Sequence, residues 1–116
     1  MTSTTGTGIR VAALGDIPEG EALKVEAELT GHDDAIAVFH DEQTYYALDD
    51  TCTHGRASLS DGWIEGGEVE CPLHSARFCL RTGEAQCMPA TIGMRTHRVE
   101  VRSGAVWLYP GQEPTG

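Results

Sequence analysis

The sequence predicts a single antiparallel all-β domain, and three observations carry that reading. Short apolar or alternating runs recur along the chain, turn-forming residues separate most of them at hairpin distances, and no window of about 12 residues sustains the i, i+3, i+4 apolar spacing of an amphipathic helix. A chain of 116 residues has room for one core, and an apolar content of 40% with 14 dispersed glycines describes a globular protein rich in tight turns.

Taken in order, residues 1–8 are mostly Thr, Ser and Gly and are expected to form a loose tail, with the domain spanning 9–110 and a second tail at 111–116. Strands are predicted over 9–14, 22–27, 35–40, 44–48, 69–71, 77–80, 97–101 and 106–109. Between them stand Pro18, Glu19 and Gly20, then Gly31 to Asp34, then Asp41, Glu42 and Gln43, and finally Ser103 and Gly104, all with the chemistry of tight turns. Residues from about 49 to 94 depart from this spacing. They hold Gly/Ser/Asp-rich loops and most of the cysteine and histidine, and loops on a rigid β scaffold are where function gathers.

A formal net charge of −10 excludes nucleic acid and anionic membrane surfaces as partners and suits basic proteins. No run approaches the roughly 20 apolar residues of a membrane helix, and the start lacks the apolar centre of a signal peptide, so a cytoplasmic protein is expected. In that reducing setting the four cysteines read as metal ligands before they read as disulfides.

Cys52 and His54 are followed after sixteen intervening residues by Cys71 and His74, so each half supplies one thiolate and one imidazole. Two sulfur and two nitrogen donors suit either one tetrahedral zinc or the two irons of a [2Fe–2S] cluster. A structural zinc site usually places two cysteines in one knuckle and two histidines in another. The mixed pairs found here favour the cluster, with a zinc-stabilised structural module as the alternative.

The stretch Cys52-Thr53-His54-Gly55, with Leu59-Ser60-Asp61-Gly62, Glu70-Cys71-Pro72-Leu73-His74, Phe78 and Arg81-Thr82-Gly83, resembles the Rieske ferredoxins of bacterial aromatic-ring-hydroxylating dioxygenase systems. The resemblance covers about 40 residues strongly. It implies a Rieske fold with two cluster-binding loops, with Cys52 and Cys71 on the inner iron and His54 and His74 on the outer one. Gly55, Arg56, Ala57, Leu73, Ser75 and Ala76 would surround the ligands, and Met88 and Pro89 would belong to a third covering loop. It also implies an electron carrier, not an enzyme, that works as a monomer between a flavoprotein ferredoxin reductase and a terminal Rieske oxygenase. An accessory β-domain subunit of a larger oxidoreductase is the other alternative.

Neutral imidazoles in place of two thiolates raise the potential of such a centre, and hydrogen bonds to its sulfurs raise it further. High-potential relatives in cytochrome bc complexes add a disulfide and directed hydroxyls. This chain has Arg56 or Ala57 and Leu73 near the disulfide positions, and Ala76 and Phe78 where the hydroxyls would stand, so a potential near about −150 mV is expected. Ser75-Ala76 also departs from the glycine common at the second of these positions.

Other candidates read plainly. A hairpin about Thr82 and Gly83 would set Cys79 opposite Gln86, not Cys87, leaving both cysteines as buried small hydrophobes. His32, His40 and His97 read as isolated polar surface residues, and Trp63 and Trp107 as core packing. Arg56 and Arg81 fit local ion pairs or a partner contact equally well. No nucleotide fingerprint or hydrolase triad is present.

Overall fold

Ile36, Ala37, Val38 and Phe39 form an uninterrupted apolar run, as expected of a strand covered on both faces, and in the computed structural model all four are fully buried. The structure describes residues 8–51, 57–72, 76–85 and 93–112. Along the chain lie β1 (Ile9–Ala13), β2 (Ala22–Val25), α1 (Ala27–Thr30), β3 (Ile36–Asp41), β4 (Thr44–Asp49), a 3₁₀ turn (Leu59–Asp61), β5 (Trp63–Glu65), β6 (Glu68–Glu70), β7 (Arg77–Cys79), β8 (Thr96–Arg102) and β9 (Ala105–Tyr109).

The strands form an antiparallel six-stranded sheet in the order β1-β9-β8-β4-β3-β2 and a three-stranded sheet in the order β5-β6-β7. Strand alternation sends Ile36 and Val38 into one core with Val25, Ala47, Val106 and Leu108. Ala37 and Phe39 enter a second core with Leu48, Leu59, Val69 and Phe78, lying between the two sheets. Strand β3 is therefore a wall shared by both cores.

Two-residue turns fix the registers of the longest hairpins. Glu42 and Gln43 take φ of 51° and 67° between β3 and β4, and Ser103 and Gly104 take 53° and 74° between β8 and β9, the left-handed pairs that match strand twist. Asp41, at the end of β3, accepts a hydrogen bond on Oδ2 from the Gly67 N–H at 2.8 Å and so ties the large sheet to the β5–β6 turn. Strand β1 meets β9 with a register shift between Arg10 and Ala12, a bulge on one outer edge of the large sheet.

Several expectations are corrected. α1 is a single turn ended by Gly31 at φ 75°, too short to leave a periodic signal, and it replaces the end of the predicted strand at 22–27. β5 was not predicted, because three residues with an exposed Trp and Glu offer little alternation. Trp63 is 62% exposed and is not core packing. Trp107 is half-buried: its indole N–H donates to the Arg102 carbonyl at 3.3 Å and its ring lies 4.4 Å from the Arg102 guanidinium carbon.

The hairpin after β7 is tighter than expected. Phe78 bridges Ala85, and the Cys79 N–H donates to the Glu84 carbonyl, so Cys79 lies opposite Glu84 instead of Gln86. Cys79 is half-buried, and burial, which raises a thiol's pKa, is outweighed by hydrogen bonds from Thr82 and the Arg81 backbone that hold it below the ordinary value. Gln86, Cys87 and residues 1–7 and 113–116 lie outside the described residues. Among the described residues no helix is long and apolar enough to cross a membrane.

Candidate metal centre

Of the four predicted ligands, Cys71 is described, while Cys52, His54 and His74 lie outside the described residues, as do Gly55, Arg56, Leu73, Ser75, Met88 and Pro89. Ala57, Cys71 and Ala76 are brought together in the core between the sheets, 7%, 0% and 0% exposed. The second predicted segment is closed at its neck by the Cys71 N–H, which donates to the Ala76 carbonyl at 2.7 Å where β6 leaves and β7 begins.

The neck of the first segment is built from carboxylates. Asp50, 2% exposed, accepts the Ser60 N–H on Oδ1 at 2.9 Å and the Ser58 hydroxyl on Oδ2, while Lys24 Nζ lies 3.7 Å away. Its carbonyl accepts the Leu59 N–H at 2.7 Å, and Thr51 bridges Ser58. Asp34 adds the Thr51 N–H at 3.0 Å and the Thr51 hydroxyl at 2.8 Å. A side chain that gathers donors from both ends of a loop holds its neck shut, and buried polar groups so satisfied are worth more than surface ones.

Glycine allows the close approaches that bring these segments together. A Cβ on Gly62 would lie 2.2 Å from the Glu70 carbonyl oxygen, so β5 can start against β6 only without a side chain there. Gly83, at φ 77°, would place a Cβ 2.1 Å from the Met94 carbonyl oxygen, and the Met94 N–H returns to the Gly83 carbonyl at 2.7 Å. That crossing holds Gly83 against Met94.

The Cys71 side chain fits a resident soft metal group. It is fully buried, it is not in a disulfide, and among the described residues its sulfur has no hydrogen-bond partner. It shares its core with Ala57 and Ala76, and the other donors of the Cys/His pattern are one thiol and two imidazoles, a set suited to a soft metal group.

The structure also assembles a group that the sequence reading separated. Asp49 Oδ1 lies 2.7 Å from His97 Nε2 and 3.0 Å from His32 Nε2, and its Oδ2 accepts from Arg95 Nε at 2.6 Å. Arg95 also reaches Asp33 at 2.7 Å. Burial raises the Asp49 carboxyl, but the donors from His97, Arg95 and His32 outweigh it and hold its pKa below 3.8. His97 is 2% exposed and is no surface residue, and His32 is partly buried. His40 is half-buried as well, with Nδ1 on the Ile17 carbonyl at 2.8 Å and its ring stacked on Tyr45.

Although two histidines and an aspartate are metal-ligand types, the Gly111 N–H donates to His97 Nδ1 at 2.8 Å. Nε2 must then carry the ring proton and donate to Asp49, so its lone pair is not available. This group is a hydrogen-bonded knot that joins the turn before β3, the end of β4 and the start of β8. Sequence offered one signal: His97 is in phase with the half-buried Val99 along β8.

Two sheets sharing a core, with the closed necks of both predicted ligand segments at its margin and the buried thiol of Cys71 within it, define the class. The Rieske [2Fe–2S] domain matches residues 8–98, and the chain belongs to that family. Its cofactor is accordingly a Rieske-type [2Fe–2S] cluster. Among curated relatives, the 3-phenylpropionate/cinnamic acid dioxygenase ferredoxin subunit of Photorhabdus laumondii is 43% identical over 104 residues, covering 89% of this chain and 94% of that protein. The protein of the same name from Escherichia coli K12 is 43% identical over 108 residues, 91% of this chain and 97% of its own length. The solved ferredoxin of carbazole 1,9a-dioxygenase from Nocardioides aromaticivorans IC177 superposes with a TM-score of 0.82 at 31% identity, covering 90% and 98% of the two chains. The similarity is thus to ferredoxins, which carry electrons, over nearly their whole length.

Proposed function

We propose that this chain carries single electrons from a flavin-dependent NAD(P)H reductase to a terminal aromatic-ring-hydroxylating oxygenase, as a cytoplasmic monomer. One observation carries the reading: the buried thiol of Cys71, without a hydrogen-bond partner among the described residues, at the closed neck of a predicted ligand segment in a chain 43% identical to dioxygenase ferredoxin subunits. A solved complex of oxygenase and ferredoxin in carbazole 1,9a-dioxygenase, whose ferredoxin resembles this chain with a TM-score of 0.79 at 36% identity, supports the oxygenase as one partner.

In this proposal Cys52 and Cys71 hold the inner iron and His54 and His74 the outer iron, within a domain spanning 9–110. Gly55, Arg56, Ala57, Leu73, Ser75, Ala76, Met88 and Pro89 surround them. When bound, the cluster supplies a one-electron couple at a potential near about −150 mV. The protein supplies placement: Asp50 and Asp34 hold the first neck, the 71–76 hydrogen bond holds the second, and the remaining nitrogens of His54 and His74 face the partner.

Chemical analysis and spectroscopy of the purified protein test this. About two irons and two acid-labile sulfides per chain are expected, with an EPR signal in the dithionite-reduced protein and a negative midpoint potential. A colourless protein holding one zinc overturns the reading, and a clearly positive midpoint overturns the assignment of potential.

A further inference from the structure

The three-stranded sheet has two unlike faces. Ile64, Val69 and Phe78 point into the shared core, whereas Trp63 and Glu65 on β5, Glu70 and Glu68 on β6, and Arg77 on β7 line a shallow depression on the outer face. Register places Trp63 beside Glu70 and Glu70 beside Arg77. Arg77 Nη1 lies 3.6 Å from Glu68 and Nη2 3.4 Å from Glu70, so two of the three carboxylates share one guanidinium and the face keeps a negative excess. Glu65 is exposed and forms no ion pair with a described residue.

A tryptophan that is 62% exposed on a strand leaves a large apolar area in water, and ringed by charge it has the make-up of an interface hot spot. Position adds to the case, because Glu70 immediately precedes Cys71 and the face therefore belongs to the strand that leads into a proposed ligand. Arg77 already shows the charge half of the complementary chemistry, a guanidinium held between the Glu68 and Glu70 carboxylates.

We propose that the outer face of β5, β6 and β7 is the docking surface for a redox-partner protein presenting an electropositive, arginine-bearing surface. A partner guanidinium stacks on Trp63 and pairs with Glu65 and Glu70, while the negative excess steers the encounter. This inference rests on the electron-carrier reading above.

The test uses the holoprotein, reduced with dithionite and mixed in stopped flow with cytochrome c, a strongly cationic haem protein, or with ferricyanide, a small anion. At low salt the variant Glu65→Gln/Glu68→Gln/Glu70→Gln is expected to slow transfer to cytochrome c about tenfold, with the difference vanishing at high salt. Trp63→Ala slows it about fivefold. A control with the same net charge, Glu21→Gln/Glu26→Gln/Glu28→Gln, stays within about twofold of wild type, and ferricyanide oxidises all four proteins without slowing. Equal slowing by the control, or slowing toward ferricyanide as well, overturns the docking face. So does a wild-type dimer in sedimentation that Trp63→Ala dissociates, since the face would then belong to a second copy. A wild-type protein that takes no electron from dithionite overturns the carrier reading instead.

Discussion

The two cores that meet on β3 are held in different ways. In the large sheet, hairpins with registers of four to six residue pairs bury Ile36, Val38, Val106 and Leu108, and the turns between them carry few other duties. In the small sheet the strands are three residues long, and the architecture relies on polar side chains that gather loop ends and on glycines that let backbones cross. Apolar area is nondirectional and tolerant, whereas a neck closed by one carboxylate fails when that carboxylate is lost. The region proposed to hold the metal group is therefore the one whose shape depends on individual residues.

The sharpest break in this comparison is Cys71→Ser, for which loss of iron, sulfide and visible absorption is expected while the far-UV signature of the large sheet persists. Next comes Phe78→Ala, which empties the core between the sheets and is expected to cost about 4 kcal/mol in denaturant unfolding, bleaching the chromophore at lower denaturant than wild type. Asp49→Asn follows at about 3 kcal/mol, because it leaves the buried His97 donor, and the exposed Arg95 guanidinium with it, without their anion. The pH dependence has a defined sign. The folded Asp49 carboxyl is held below 3.8, so its contribution is complete above that value and is lost as pH falls through the folded pKa. Wild-type stability should consequently decline more steeply than that of Asp49→Asn between about pH 5 and about pH 3, read by urea titration. The smallest effect expected is Gly83→Ala, at about 2 kcal/mol, from a Cβ driven toward the Met94 oxygen at a left-handed φ.

The same contrast explains what could be read from sequence. Strands β3, β4, β8 and β9 announce themselves through apolar runs and turn pairs, since their signal lies within a few consecutive residues. The predicted ligands stood out because spacing itself is the chemical signature. Trp63 did not, because a tryptophan in a short strand is read as core until the face it occupies is known. The Asp49 knot was hidden for another reason: its members lie 17 and 48 residues apart, and only the pairing of β4 with β8 and the turn at 31–35 unite them. The register after β7 was misread because Gly83 closes a tighter turn than the flanking residues suggest.

The bulge in β1 bears on how the protein behaves in company. β1 and β2 form the two open margins of the large sheet, and straight margins invite end-on pairing with a neighbouring molecule. The kink at Val11, with the exposed cations Arg10 and Lys24 on these two margins, denies a second molecule a regular row of amides and brings like charges together. An electron carrier built this way is expected to resist strand-to-strand polymerisation with its own copies even where it is abundant.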